Sequence, residues 1–391
     1  MPATAQGRPR SNFFPEIAGL RIYLALWVAI GHGLQLSGYV VPHNAVMRIL
    51  LRGDDAVCVF MIVSGFVITN LILTEREPYG DYIVRRFFRL FPAYVICCVI
   101  GYFLAAPWQT LVDSVPWKAN AGWPAYAASV HQLHYEVTHH FWPHFLLHAV
   151  MLHGLIPVEW LNRSAMTFLP AAWSISLEWQ FYLVAPFVLS ALTPRRVLVP
   201  VLVASIAYLL FRAGALGHYQ VQSSIFGACG YFAVGIFSRL SLPRLRTLGW
   251  PALPAAIALM MLCLFFFWDP LPLVVWCGFF SFLTWRRQGD SLGRLFQAMM
   301  TAAPIVLMGE ASYSLYLIHR PMEVLFAYIA VSARVLTQQQ MFLTQLAAIA
   351  VSLPLSLVMF FFLEKPCIRW ARKLVKRPRL HLQQEATAAP P

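Results

Sequence analysis

Charge is what this sequence has least of. Only 12% of its 391 residues are Asp, Glu, Lys or Arg and 59% are apolar, against roughly 25% and 45–50% in a soluble domain. An ordinary water-soluble fold is excluded. Cysteine appears seven times (Cys58, Cys97, Cys98, Cys229, Cys263, Cys277, Cys367), never as CxxC and always within or beside an apolar run, so the thiols read as core packing. The sequence holds no HExxH, P-loop, dinucleotide or HxxxD signature and no internal repeat. Its first sixteen residues carry Arg8, Pro9, Arg10 and Pro15 but no apolar stretch, so no cleavable signal peptide is expected before the first span.

What the chain does have is a succession of apolar runs separated by short arginine-rich stretches. Each run can cross a hydrocarbon core of about 30 Å as a helix. The expected fold class is therefore an all-α integral membrane protein with about ten transmembrane helices, near 17–36, 56–74, 90–106, 172–192, 197–213, 222–239, 249–267, 271–285, 304–333 and 342–363. The net charge of +13 comes from 29 Lys and Arg against 16 Asp and Glu. These cations cluster beside the spans, as in Arg85/Arg86/Arg89, Arg195/Arg196, Arg239/Arg244/Arg246 and Arg286/Arg287. That distribution orients a membrane protein and does not make a nucleic-acid surface. It places both termini in the cytoplasm, with a basic arm at 1–15, a membrane domain at 16–366 and a basic tail at 367–391 that is disordered at its end.

One connection, 107–171, is long. It carries seven histidines (His131, His134, His139, His140, His144, His148, His153), several tryptophans and an apolar stretch, Phe145–Ile156, too short to span. A re-entrant or interfacial helix covering an extracytoplasmic cavity is expected, because non-spanning backbone at membrane depth must face protein or water.

Ionisable residues inside spans are expensive and point to sites. Arg21 and His32 share the first span, and eleven residues at about 100° each bring them to one face, roughly 16 Å apart along it. A fixed cation and an imidazole so separated suit a donor such as an acyl-coenzyme A, whose anionic end and thioester lie far apart. The plainer reading has Arg21 reaching lipid phosphates and His32 bonding a neighbouring helix. Arg86 and Arg89, one turn apart in RRFFRLFP (85–92), either anchor topology or grip nucleotide phosphates. In WSISLEWQFYLVAP (173–186), Ser174, Glu178 and Tyr182 line one face. Glu178 would orient an imidazole or move a proton, or else form a buried structural bond. A comparable stripe, Ser312, Tyr316 and His319, runs along SYSLYLIHRP (312–321) beside Arg320.

Arg21 followed by His32, FMIVSGFVIT (60–69), RRFFRLFPAY (85–94), WSISLEWQFY (173–182), SYSLYLIH (312–319) and the closing EKP (364–366) occur in this order across most of the chain. Together they resemble the integral-membrane acyltransferase family 3, which O-acylates cell-envelope glycans and some glycosylated small molecules. Cys58 stands where the family often has an Asp, and Trp179 where it has a second Glu, leaving Glu178 as the carboxylate to carry over. Some members carry a soluble SGNH-type domain, and this sequence is expected to lack one. The resemblance implies a bacterial cytoplasmic-membrane O-acyltransferase with acetyl-CoA or another acyl-CoA as donor, no metal, and a saccharide acceptor, lipid-linked or free. It implies His32 as general base, with Glu178 as a second catalytic residue, and Arg21, Arg86 and Arg89 as donor-binding residues. Ser64, Tyr182, Ser312 and Tyr313 are available as oxyanion donors, with Ser174 and His319 in support. The acceptor is expected to enter under the 107–171 segment, whose aromatic rings suit sugar faces. A transporter of a glycan, lipid or small anion, with Arg21, His32 and Glu178 as pathway residues, is the alternative. A zinc hydrolase built on His140, His144 and His148 is a third class, weakened by Pro143 inside the run.

Overall fold

The computed structural model describes residues 13–75, 77–193, 195–248, 270–284, 291–334 and 337–375, which form helices and no strand. The first helix, α1 (Pro15–Leu36), starts on Pro15, whose fixed φ suits a first helical turn, with Glu16 beside it to complement the dipole. The short α2 (Ala45–Leu50) is capped by the Asn44 side chain, which accepts from the Met47 N–H at 2.8 Å. Next come α3 (Gly53–Thr74), α4 (Tyr79–Ser114), α5 (Trp123–His139), α6 (Phe141–Ala149), α7 (Trp173–Ala191), α8 (Leu198–Arg212) and α9 (Ile225–Leu248). The chain continues through α10 (Leu271–Thr284), α11 (Ser291–Thr301), α12 (Ala303–Glu310), α13 (Ser312–Ser332), α14 (Gln338–Met359) and α15 (Lys365–Val375).

Among the described residues, five helical stretches are long and apolar enough to cross a membrane: 15–36, 53–74, 79–114, 225–247 and 338–375. Two apolar helices, Leu198–Arg212 and Leu271–Thr284, have 15 and 14 residues. At about 1.5 Å per residue the described part of each is about 20 Å long. The expected span at 249–267 lies outside the described residues. The one expected at 304–333 is two helices, because the chain turns at Ala311 between α12 and α13. The last span runs on past 363 through a π-helical turn, Phe360–Glu364, into α15.

The long connection is more ordered than a loop. Helix α4 continues through Pro107 to Ser114, and α5 and α6 follow. Helix α6 turns Trp142, Phe145 and Leu146 outward while burying His144 and His148. An apolar outer face and a polar inner one invert the soluble pattern, as a helix lying in the interface requires. Its histidines are bound internally: His140 Nδ1 and His144 Nε2 converge on Glu136 Oε2 at 2.7 and 3.3 Å. His148 Nδ1 donates to the His144 carbonyl at 2.8 Å, and its ring stacks on His153 at 3.9 Å. His153 Nε2 donates to the Ala172 carbonyl at 3.2 Å, which ties the segment to the start of α7. The run at 140, 144 and 148 thus divides between a carboxylate and a backbone carbonyl, and the described residues hold no group of three or more metal-ligating side chains.

The centre of the bundle is set by a close crossing of α3 and α9. A Cβ on Gly235 would lie 2.0 Å from the Ile62 carbonyl oxygen, and one on Gly65 would lie 2.4 Å from that of Phe232. Only glycine at these points lets the two backbones approach so closely, the usual means of helix association in lipid. Gly235→Val should therefore cost about 1–3 kcal/mol, seen as a lowered thermal midpoint in detergent. Gly278→Val, with nothing within 4 Å, should leave the midpoint in place; equal midpoints for the two variants would contradict the crossing.

A pH effect follows from the 107–171 histidines. Burial lowers His144, takes His148 well below the usual value with His153 adding to the effect, and brings His153 down to about 3. The docked segment thus holds neutral imidazoles, whereas the undocked one takes up protons near 6.5. Docking stability is then complete above about pH 6.5 and is lost as pH falls toward about 3. Hydrogen exchange of the 141–155 amides, corrected for intrinsic rate, should rise between pH 7.5 and 5. Constant protection would show that these rings do not couple docking to pH.

Candidate active site

Five helices converge on one polar cavity of about 130 Å³ near the end of the bundle where α1 begins. Arg21 comes from α1, Ser64 from α3, Arg86 and Arg89 from α4, Ser174, Glu178 and Tyr182 from α7, and Ser312, Tyr313 and Tyr316 from α13. The i, i+4, i+8 stripe on α7 does face inward as its spacing requires, and so does the 312/316 stripe on α13. Nine of the eleven residues given a catalytic, donor-binding or supporting role from sequence share this wall, scattered over almost three hundred positions of chain, and Tyr316 joins them.

The polar groups are unevenly committed. Glu178 accepts from the Tyr182 hydroxyl and from Ser64 Oγ at 3.4 Å, so its partners are hydroxyls rather than an imidazole. Tyr313 donates to the Leu90 carbonyl at 2.6 Å. Ser174 Oγ donates to the Tyr316 hydroxyl at 2.8 Å, which in turn donates to the Ala171 carbonyl at 2.9 Å. Of the four hydroxyls named as oxyanion donors, Ser312 alone keeps its proton uncommitted; its Oγ is buried and has no partner among the described residues.

The cations divide in the same way. Arg89 Nη1 donates to Glu364 Oε2 at 3.1 Å, and Glu364 also accepts from Ser314. Arg86 has aromatic faces instead, Tyr82 at 6.0 Å and Tyr182 at 5.9 Å, and its buried Nε has no partner among the described residues. Among the described residues, Arg21 has no carboxylate within ion-pair distance. Three guanidiniums thus line a cavity whose wall contains one carboxylate, Glu178, and that imbalance favours an anionic occupant.

His32 and His319 are not part of this wall. They form a separate pair, stacked at 5.5 Å, farther along α1 and α13. The His32 Nδ1 lies 3.3 Å from Gln35 Oε1, and with that amide oxygen accepting, Nε2 keeps its lone pair. His319 Nδ1 donates to the Leu315 carbonyl at 3.2 Å, leaving a buried Nε2 with no partner. Tyr316 separates the two regions: it lines the cavity, and its ring is 5.8 Å from that of His319. The four oxyanion candidates all sit on the cavity side, and Ser312 is seven residues, about 10 Å of helix, from His319.

Two partners were not singled out from sequence. Glu364, in the closing EKP, is brought to Arg89 by the π turn at Phe360–Glu364. Glu323 lies three residues after Arg320 on α13, and an acid and a base at that spacing inside an apolar helix is a signal of the same kind as Arg21 and His32.

A family model described as an acyltransferase domain matches residues 14–361. An O-acetyltransferase, OatA, of Staphylococcus aureus is 23% identical over 79% of this chain and 50% of its own length. An O-acetyl transferase of Shigella phage Sf6 is 31% identical over 24% of this chain and 27% of its own. The chain thus spans about half the length of the first of these relatives and about a quarter of the second. No solved structure matches.

Proposed function

The chain belongs to the acyltransferase domain family, and on that premise we propose that it moves an acyl group, acetyl in the simplest case, from acyl-CoA to a hydroxyl of a saccharide acceptor. The observation that carries the reading is the cavity of Arg21, Arg86 and Arg89 at one end of α1, with His32 about 16 Å farther along the same helix. The arginines take the phosphates of the donor, and the extended arm of coenzyme A carries the thioester toward the histidine pair. At about 130 Å³ the cavity is smaller than the roughly 300–1,000 Å³ of sites that enclose a whole ligand. It serves an anionic end rather than the entire donor, and the arm passes Tyr316.

At the far end of the arm, an acceptor hydroxyl attacks the thioester carbonyl while His32 Nε2 takes its proton. The C–O bond forms, the C–S bond breaks, and the proton returns to the departing thiolate as the free thiol. Glu178 acts on the cavity side, holding Tyr182 and Ser64 in place. Ser312, with its uncommitted hydroxyl, contacts the donor near its anionic end. In a bacterial inner membrane the arginine end faces the cytoplasm, where acyl-CoA is made, and the 107–171 segment faces out. Tyr126, from that segment, reaches Arg320 beside His32, which supports acceptor access from this side.

His32→Ala should lower turnover by about 10²–10⁴-fold, the usual worth of a general base, while the protein stays folded and binds donor. Wild-type turnover in that variant would remove the assignment. Arg86→Ala should weaken acyl-CoA binding about 10- to 100-fold, as the loss of a charge-assisted hydrogen bond does, with no change in insertion. Unchanged donor affinity together with inverted topology would make Arg86 an anchor only.

A further inference from the structure

A second cavity, of about 560 Å³, opens where the chain passes from α8 to α9. Its volume falls within the roughly 300–1,000 Å³ of sites that enclose a whole ligand. The α8–α9 connection lies against the 107–171 segment and is tied to it at several points. The Val158 N–H donates to the His218 carbonyl at 2.9 Å, and the His218 backbone N–H and ring Nδ1 both meet the Glu159 carboxylate. The Tyr219 hydroxyl donates to the Leu155 carbonyl at 3.2 Å, and Gln220 Nε2 to Asn162 Oδ1 at 3.3 Å. Gly214 and Gly217 turn the chain at φ of 73° and 87°, which glycine adopts without strain. The wall of the cavity is therefore formed in advance by two connections held together.

Among the described residues, the lining joins aromatic rings to polar tips. Phe211 and Tyr219 stand 5.3 Å apart with their planes at 34°, and both are half-buried. Gly227 lets Phe211 lie against α9, since a Cβ there would come within 2.6 Å of the ring. Arg212, His218 and Gln222 line the same cavity and are exposed. Glu159 takes the Nδ1 of His218 and leaves its Nε2. Gln222 Oε1 accepts from the Cys58 thiol at 3.8 Å, which leaves the two amide N–H donors. Cys58 is two residues from Phe60, which lines the arginine cavity, so α3 touches both sites.

An apolar chain here would strip water from Arg212 and Gln222 without replacing its hydrogen bonds. A lone anion would meet the Glu159 carboxylate beside His218, and a metal ion would find a single imidazole that is already bonded. A sugar ring satisfies both kinds of group, with its apolar face on the aromatic rings and its hydroxyls on the polar tips. Resting on the acyltransferase reading, we propose that this cavity is a saccharide subsite, holding rings of an oligosaccharide acceptor that are remote from the reacting hydroxyl. Phe211 and Tyr219 carry a ring face, and Arg212, Gln222 and His218 Nε2 bond its hydroxyls. The acceptor is then a glycan of several rings, and a single sugar engages only part of what the protein offers.

The test uses the full chain in nanodiscs, without acyl-CoA. Maltotetraose, cellotetraose, mannotetraose and chitotetraose are titrated against their methyl monoglycosides by saturation-transfer NMR. At least one tetrasaccharide should bind at least about tenfold more tightly than its monoglycoside. Phe211→Ala and Gln222→Ala should each remove that advantage, while acetyl-CoA affinity stays within about twofold of wild type. If Phe211→Ala fails to fold, Gln222→Ala decides alone. Equal affinity for tetrasaccharide and monoglycoside across all four sugars would overturn the proposal, and so would tight tetrasaccharide binding retained in folded Gln222→Ala. Transfer from acetyl-CoA is assayed separately. Tetrasaccharide binding that depends on Phe211 and Gln222, with no acyl transfer, would uphold the saccharide site and sink the acyltransferase reading.

Discussion

Guanidinium groups inside an apolar bundle constrain everything else in this molecule. Each must be paired, stacked or turned toward a cavity, because a lone buried charge is not tolerated. Arg85 is taken by Glu77 and Glu75, Arg89 by Glu364, Arg239 by Asn70, and Arg320 by Glu323, Tyr126 and the Trp108 face. Arg21 and Arg86 remain for the cavity. Their availability has a structural origin. The π turn at Phe360–Glu364 presents a buried carboxylate to Arg89, and Ser314 braces that carboxylate from α13. Such turns insert an extra residue into a helix and often mark functional sites.

The same constraint divides the buried polar groups into two sets along α1 and α13. The arginine cavity is rich in positive charge, and its hydroxyls are mostly committed to one another or to backbone carbonyls. Arg320, farther along α13, is held by Glu323, the Tyr126 hydroxyl and the Trp108 ring. Between them lie Tyr316 and the stacked histidines. Under the proposed acyltransferase function, the arginine cavity is the end suited to a phosphate-bearing donor.

Much of this was legible from residue spacing. The α7 stripe of Ser174, Glu178 and Tyr182 faces the cavity because a four-residue repeat keeps one helix face, whatever the neighbours are. Arg21 and His32 do lie on one helix, yet sharing a face did not put them in one chamber. The side chain of Tyr316, from another helix, comes between the cavity and the histidine pair. Likewise Ser64, Tyr182 and Tyr313 were readable as hydroxyls near the site, but not as hydroxyls whose protons are already given away. Hydrogen-bond commitment depends on which groups meet, and that is a property of packing.

The sequence by itself determined the membrane fold class, the helical periodicities and the set of polar residues that must turn inward. These follow from apolar run length and from the cost of charge in hydrocarbon, which act locally along the chain. Tertiary structure alone decided which carboxylate neutralises which arginine. It brought Glu364 to Arg89 over 275 positions, set Trp108 and Tyr126 around Arg320, and placed Gln345 opposite Gly33. The physical reason is that such pairings depend on where helices cross. Crossings are set by close contacts such as Gly65 and Gly235 against the facing backbones, which no single run of residues encodes.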